Sequence, residues 1–284
     1  MIAFVGSVFS PYYAWKGRRD PEDHVAINVA LYSATGPRWA MTERGRASLL
    51  RDATTFRVGP SALHWSDAEG LTISFDELSL PFPGAGALPR RIAGTIRLKP
   101  DAVTGEVFDI DAAGRHRWWP IAPSARIEME VARGGASWAG HGYLDSNWGT
   151  EGLEAGFRRW DWARGRLGDG RTAILYDATC RAGGRRELAL SIGPDGTIDR
   201  RALPAAAPLG RGLWGVERFL HADAPQEARI ARSLEDGPFY TRAVVDSRVW
   251  GEPMRGLHES FSGDRFARNL VKLMLPFRMP RRAG

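Results

Sequence analysis

The sequence contains little cysteine, little lysine and no long apolar run. Its single cysteine, Cys180, excludes an internal disulfide. The absence of a disulfide framework, and of a basic and apolar leader after Met1, favours a protein kept in the reducing cytoplasm. Gly, Pro, Arg or Asp interrupts every apolar run before it reaches about 18 residues, the length that a membrane-spanning helix needs. The sequence therefore predicts a chain that does not span a bilayer.

Positive charge exceeds negative charge only slightly. The 284 residues include 39 basic and 33 acidic side chains, a formal net charge of +6, and only three of the basic residues are lysines. A nucleic-acid-binding surface requires basic residues that cluster on one element. Because the arginines are instead spread from Arg18 to Arg282, we expect no nucleic-acid partner.

Alternating apolar and polar residues predict β-strands along most of the chain. Turn signals such as Gly168-Asp169-Gly170 separate these segments, and helical spacing is scarce before the C-terminus. The alternating segments are 24–32, 70–80, 91–98, 126–132, 171–177 and 241–250. This pattern predicts an all-β protein of antiparallel barrels.

A domain boundary is indicated where the glycine-rich stretch 149–156 interrupts the strand pattern. It predicts an N-terminal domain over 1–152 and a C-terminal domain over 153–284. Each is long enough for a closed barrel of about eight strands, the size at which the interior holds one small ligand.

After residue 265 the apolar spacing becomes helical. A short amphipathic helix is predicted, stopped by Pro276, with basic residues on its other side. The apolar side chains of this segment include Phe266, Leu270, Leu273 and Phe277. Two interpretations remain open: a terminal helix docked on a barrel, or a basic amphipathic segment that rests on an anionic membrane.

Motifs for common cofactors and hydrolase sites are absent or out of context. Residues Gly210–Gly215 match G-x-G-x-x-G, but they follow a Pro- and Ala-rich loop and precede no helical pattern, so a dinucleotide site is not predicted. There is no P-loop, H-E-x-x-H, paired cysteine or G-x-S-x-G. We expect neither a cofactor nor a metal.

The segment Ser137–Trp148 predicts a strand with one wholly polar face. Alternation places His141, Tyr143, Asp145 and Asn147 together on that face. A solvated outer face is the simpler interpretation of such a pattern. These residue types, however, transfer protons and form hydrogen bonds, and the Lys, Glu and Thr typical of a wet strand are missing.

A second segment, Arg115–Pro120, places His116 and Trp118 on one face if it is extended. Two such strands around one cavity would bring an acid, a phenol, an imidazole and an indole together. Burial raises the pKa of a carboxyl by up to about 3 to 5 units, so Asp145 would donate a proton near neutral pH. A nearby aromatic face would stabilise the carbocation left by alkene protonation by roughly 0.5 to 2 kcal/mol. These groups suit the hydration of an alkene.

The sequence resembles the acyclic carotenoid 1,2-hydratases, also called hydroxyneurosporene synthases, of photosynthetic bacteria. The resemblance spans nearly the whole chain and rests on segments 4–13, 23–28, 38–43, 116–118, 141–149 and 274–280. It implies two lipocalin-like β domains and a cofactor-independent hydro-lyase. The implied reaction adds water across the terminal 1,2 double bond of neurosporene or lycopene. Related proteins on this fold have other activities, so the fold does not determine the reaction.

The resemblance also implies roles for individual residues. Asp145 becomes the catalytic acid, supported by Tyr143, His116 and Trp118. From the chemistry we expect Trp118, with Tyr143, to face the cation, and His116 or Tyr143 to hold the attacking water. Candidate substrate-binding residues lie along the same strand: His141, Asn147 and Trp148.

Two other functions remain open on the sequence. One is a lipocalin-like carrier that binds a hydrophobic ligand without transforming it, and the other is an acid-initiated terpenoid cyclase. An acyclic polyene dissolves in membranes, so we expect a cytoplasmic protein attached peripherally to the photosynthetic or inner membrane. Contact through Phe266, Leu270, Leu273, Phe277 and the nearby Arg and Lys residues would provide that attachment.

Overall fold

A computed structural model describes residues 1–33, 36–81, 88–132 and 137–282. These residues are mostly in antiparallel β-strands, which confirms the predicted all-β class, and every alternating segment named above falls on a strand. The first strands are β1 Ile2–Val5, β2 Val25–Ser33, β3 Gly36–Arg44, β4 Leu49–Arg51, β5 Thr55–Val58, β6 Ser61–Ser66, β7 Gly70–Ser79, β8 Arg90–Pro100, β9 Phe108–Asp109, β10 His116–Val131 and β11 Ser137–Gly149.

The remaining strands and the helices follow. The strands are β12 Phe157–Arg166, β13 Thr172–Cys180, β14 Arg185–Ile192, β15 Ile198–Arg200, β16 Ala206–Arg211, β17 Glu217–His221, β18 Arg229–Asp236, β19 Tyr240–Val249, β20 Glu252–Ser262 and β21 Arg281–Arg282. The helices are α1 Pro11–Trp15, α2 Leu153–Gly156, α3 Gly263–Phe266 and α4 Asn269–Met274, with 3-10 turns at Pro21–Asp23, Arg46–Ser48, Pro225–Glu227 and Leu275–Phe277.

The chain divides into two compact units that interleave along the sequence. Unit 1 comprises Met1–Lys99, Arg126–Gly142 and Lys272–Gly284, and unit 2 comprises Pro100–Ala125 and Tyr143–Val271. These bounds are not those of the predicted domains. A domain boundary at residue 152 and closed barrels therefore stay predictions.

Unit 1 contains a sheet with the strand order β1-β2-β3-β21, in which β21 runs parallel to β3. A second sheet, with the order β11-β10-β8-β7-β6-β5-β4, takes its strands β4 to β7 from this unit. Motif residues from distant segments meet here: His24 Nδ1 lies 2.7 Å from Glu43 Oε1, and Arg281 forms ion pairs with both Glu43 and Asp23. These motif segments therefore anchor the C-terminal strand in the fold.

Unit 2 contains a sheet with the order β15-β14-β13-β12-β20-β19-β18. The hairpin β16-β17 packs over one face of this sheet, where His258 Nε2 lies 2.8 Å from the carbonyl oxygen of Phe219. Gly210–Gly215 spans the end of β16 and the turn of that hairpin, so the G-x-G-x-x-G match is followed by a strand and not by the helix that a dinucleotide site requires. Cys180 is buried in the core against the other face.

A two-residue turn sets the register of the β19-β20 hairpin. Trp250 and Gly251 both have positive φ, 51° and 84°, as a type I′ turn requires. Val249 consequently pairs with Glu252, and the same register places Arg242 opposite Glu259. This local turn positions two charged side chains of the candidate site.

The C-terminal segment differs from the prediction at Phe266. That side chain is only 2% exposed, with its ring centroid 4.6 Å from that of Phe239 and 5.9 Å from that of Phe261. Phe266 therefore belongs to the core of unit 2, and its assignment as a membrane contact was wrong. Leu270, Leu273 and Phe277 are 71%, 58% and 84% exposed. Among the described residues, no helix is long and apolar enough to cross a membrane.

Candidate active site

One face of the unit 2 sheet is lined by aromatic and charged side chains. Cross-strand pairs share a face, and four adjacent strands contribute pairs such as Trp162 with Tyr176, Trp162 with Glu259, and Tyr240 with Phe261. The side chains on this face include Trp160 and Trp162 of β12, Tyr176 of β13, Glu259 and Phe261 of β20, and Tyr240 and Arg242 of β19. We call it the site face.

Trp118 and Tyr143 pack against the site face. The Trp118 ring centroid lies 6.1 Å from that of Tyr176, and the Tyr143 centroid lies 5.5 Å from that of Trp162. Trp118 is fully buried in this cluster. Aromatic packing therefore fixes the orientation of Trp118 on β10 and of Tyr143 on β11.

Asp145 forms the polar centre of the site. The indole Nε1 of Trp118 donates a hydrogen bond to Asp145 Oδ2 at 2.9 Å, and Asn147 Nδ2 lies 3.4 Å from the same oxygen. The residue as a whole is half-buried, while its carboxyl group is enclosed. Strand alternation brings Asp145 and Asn147 to one side of β11, as the sequence predicts.

Burial raises the pKa of Asp145 to about 6. The hydrogen bond from Trp118 opposes this shift because it stabilises the ionised form, whereas the negative charge of Glu259 adds to it. The pKa of Asp145 is raised, as the sequence argument expects, but by less than the maximum of about 3 to 5 units that burial can cause. About a tenth of the carboxyl groups are therefore protonated at pH 7 before substrate displaces any water.

The Tyr143 hydroxyl is buried and makes no hydrogen bond of good geometry to any described residue. It lies close enough to Asp145 for the carboxylate to affect its pKa, but no hydrogen bond of good geometry joins the two groups. Burial raises the pKa of Tyr143 well above its usual value. An unpaired buried hydroxyl usually marks a place for ordered water or a ligand.

Comparison with known proteins decides the family. A family model described as "Carotenoid hydratase CrtC" matches residues 1–284. The acyclic carotenoid 1,2-hydratase of Thiocapsa roseopersicina is 46% identical over all of this chain and 69% of its own, and that of Cereibacter sphaeroides is 43% identical over 100% and 99%. The chain belongs to the carotenoid hydratase CrtC family. The resemblance inferred from the sequence motifs is confirmed.

One solved structure is similar to this chain of the carotenoid hydratase family, and the similarity concerns the fold alone. The crystal structure of an AttH protein from Nitrosomonas europaea has a TM-score of 0.59 at 14% identity and covers 84% of this chain and 80% of its own. Identity this low carries no argument about chemistry.

In this CrtC family member, His116 lies beside the aromatic cluster but does not contact Asp145. Its ring centroid is 4.7 Å from that of Phe157, and its Nε2 is 3.3 Å from Glu151 Oε1. A β-carbon at Gly156 would collide with the imidazole, which explains the glycine there. Burial lowers the pKa of His116, so the ring is neutral at pH 7.

The three candidate substrate-binding residues have different surroundings. Asn147 is exposed and directs its amide to Asp145. Trp148 is 44% exposed and points to the opposite side of β11. His141 is exposed and belongs to unit 1. Of the predicted residues, the structure thus brings together Asp145, Tyr143, Trp118 and Asn147.

Sequence reasoning missed the contribution of the unit 2 sheet. Glu259 alternates with Leu257 and Phe261, so the strand period places a carboxylate between two apolar side chains of β20. The same signal marks Arg242 between Tyr240 and Val244.

Among the described residues, no group of three His, Cys, Asp or Glu side chains is arranged to hold a metal ion.

Proposed function

We propose that this chain is a hydratase that adds water across the terminal C1–C2 double bond of acyclic carotenes such as neurosporene and lycopene. The observation that carries the proposal is the enclosed Asp145 carboxyl, held by the Trp118 indole beside aromatic rings, with its pKa raised to about 6. Membership of the CrtC family and the names of its relatives support the same reaction.

The reaction begins with proton transfer from Asp145. The O–H bond breaks, the π electrons of the alkene form the C2–H bond, and the cation forms at C1 because a tertiary centre is the more stable one. We expect the aromatic rings of Trp118 and Tyr143, which lie beside Asp145 and the site face, to stabilise that cation, an interaction worth roughly 0.5 to 2 kcal/mol.

Water then attacks C1 and gives the tertiary alcohol. The unpaired Tyr143 hydroxyl is the group best placed to hold this water, since it is buried near Asp145. His116 supports the site from the other side of Phe157 rather than through Asp145. Hydration changes no oxidation state overall, so the proposed reaction requires no redox cofactor.

Labelled water tests this function. Purified protein incubated with lycopene or neurosporene in detergent and heavy-oxygen water is expected to give a product heavier by one labelled water. Because the acid must be protonated, kcat/KM should fall about tenfold per pH unit above pH 6. An unlabelled rearranged product would instead indicate a cyclase, and unchanged pigment would indicate a carrier.

We also propose that the chain binds an anionic membrane through its C-terminal segment. Leu270 and Leu273 of α4 and Phe277 just beyond it recur at helical spacing and are largely exposed. Arg268 in the same segment and Arg282 near its end are exposed as well, so apolar and positive groups occur together. A surface of this kind suits the interface of a bilayer in which a polyene substrate dissolves.

Point substitutions test the membrane contact better than truncation, because deletion after Gly263 also removes Phe266 from the core. The triple variant with serine at Leu270, Leu273 and Phe277 is expected to lose at least about 100-fold in partitioning to anionic vesicles, at about 1.5 to 3 kcal/mol per inserted side chain. Sedimentation with phosphatidylglycerol and phosphatidylcholine vesicles measures this.

The control for the triple variant is Val103→Ser, which changes an exposed apolar residue elsewhere, at 51% exposure. Its partitioning should equal that of the unmodified chain. Unchanged sedimentation of the triple variant would contradict the proposed membrane contact.

A further inference from the structure

We propose that Glu259 is a catalytic base, which accepts the proton released when water attacks the carbocation. This inference deepens the proposed hydratase function and rests on it. The hydration leaves a proton on the new oxygen, so a second group besides the acid has to take it.

The register of the sheet places Glu259 on the site face. Glu259 pairs with Trp162 of the neighbouring strand, and the Trp162 ring contacts that of Tyr143 with a centroid distance of 5.5 Å. Trp162 also pairs with Tyr176, which contacts Trp118. Glu259 therefore faces the same aromatic cluster as Asp145 but approaches it from β20, whereas Asp145 approaches it from β11.

Arg242 holds the Glu259 carboxylate in place. Its Nε donates to Glu259 Oε1 at 2.8 Å, and its Nη1 lies 3.3 Å from Glu235 Oε1. All three side chains are mostly buried. A carboxylate paired with a guanidinium accepts protons and hydrogen bonds but has none to donate.

The two carboxyl groups of the site consequently have opposed environments. Asp145 has an indole donor and no cationic partner among the described residues, and burial raises its pKa to about 6. Glu259 has the guanidinium of Arg242. The two carboxyl groups thus differ in their hydrogen-bond and ion-pair partners, as the acid and the base of one site usually do.

The other candidate bases fit less well. Burial raises the pKa of the Tyr143 hydroxyl well above its usual value, so it holds water but does not ionise. His116 contacts Glu151 and Phe157 rather than Asp145. The buried Tyr240 hydroxyl lies close enough to Glu259 to interact with its carboxylate, although no hydrogen bond of good geometry joins the two groups.

The proton balance closes with Glu259 included. Water forms the C1–O bond with a lone pair, the O–H bond of the resulting oxonium breaks, and that proton moves to the Glu259 carboxylate. Asp145, ionised by the first step, regains a proton from solvent, and Glu259 releases one to solvent. The net change is addition of one water molecule.

Hydrogen exchange separates the two steps. In deuterium oxide, Asp145 delivers deuterium to C2 and becomes a carboxylate. A cation that is not captured reverts to an alkene by losing a proton to this carboxylate, and deuterium stays in the recovered polyene when the hydrogen lost is not the deuteron just delivered. For Glu259→Gln we expect hydration to fall by about 100-fold or more, while deuterium still enters the unhydrated polyene at a rate comparable with that of the unmodified protein. Mass spectrometry of both pigments measures the two rates.

Matched variants give the comparison. Glu187→Gln makes the same chemical change at a carboxylate that is 45% exposed, and it should leave both rates unchanged. Asp145→Asn should stop both hydration and exchange; if it stops neither, the proposed acid is wrong, whatever Glu259 does. Glu259→Asp keeps the carboxylate and should retain part of the hydration activity that Glu259→Gln loses. It replaces Glu259→Gln in the comparison if that variant does not fold.

The outcomes decide the role of Glu259. Loss of hydration with retained exchange supports a base. An equal loss of both would mean that Glu259 only stabilises the cation, and retention of both would mean that it takes no part; either result overturns the proposal.

Discussion

Replacing Asp145 with asparagine is expected to lower the hydration rate by about 100- to 10,000-fold, the usual contribution of a positioned acid. Asparagine has nearly the same shape, and its carbonyl oxygen can still accept the hydrogen bond that Trp118 Nε1 donates at 2.9 Å. The variant lacks only the transferable proton. Turnover with lycopene should therefore collapse while pigment binding, followed by absorbance, persists.

The same substitution is expected to stabilise the fold at neutral and alkaline pH. A carboxyl whose pKa is about 6 in the folded state and 3.8 when fully solvated in the unfolded chain binds more protons when folded than when unfolded between these values. Unfolding free energy consequently falls as pH rises from about 4 to about 6, by about 1 to 3 kcal/mol. Asparagine does not carry this penalty, so the variant should be more stable by that amount at pH 8 and equal at pH 3.

The matched control for Asp145→Asn is Asp109→Asn, the same chemical change at a side chain that is 53% exposed. It should leave turnover unchanged. Urea denaturation at pH 3 and pH 8, together with the labelled-water assay, measures both properties. Near-normal turnover of Asp145→Asn would show that another group is the acid.

Replacing Phe266 with alanine should destabilise unit 2 by about 3 to 5 kcal/mol, the usual cost of removing a buried phenylalanine. Its ring is 2% exposed and packs against Phe239 and Phe261. The midpoint of urea denaturation measures the effect.

Phe277→Ala is the matched comparison, since Phe277 is 84% exposed. Its free energy of unfolding should change by less than about 0.5 kcal/mol, while its binding to anionic vesicles weakens. Phe266→Ala that remains folded should bind vesicles normally. If Phe266→Ala weakened vesicle binding without lowering the free energy of unfolding, Phe266 would be a membrane contact and its assignment to the core would be wrong.

Much of the fold follows from local alternation. The period-two pattern located β2, β7, β8, β13 and β19 to within a few residues, because half-buried strands need an apolar residue at every second position. It also placed Asp145 and Asn147 on one side of β11. Local alternation does not reveal which strands become neighbours, so the compact units were not predicted.

The C-terminal segment shows a similar limit. Phe266 and Leu270 fit one helical stripe in the sequence, yet one is core and the other exposed. The stripe is interrupted because α3 ends at Phe266 and α4 begins at Asn269, and a break between two short helices is not encoded in apolar spacing. Helical periodicity therefore identified the apolar residues without assigning their partners.

The sequence by itself determined the β class, the family and the strand that carries Asp145, since these depend on residue types and short-range spacing. Only the tertiary structure decided that the Trp118 indole donates to Asp145, that His116 turns to Glu151, and that Glu259 faces the same cluster. Each of these contacts joins residues that are at least 27 positions apart in the chain, and that of His116 with Glu151 joins the start of β10 to the turn after β11. Their pairing depends on the energy of the whole core, and the pKa of Asp145 is set by that enclosure.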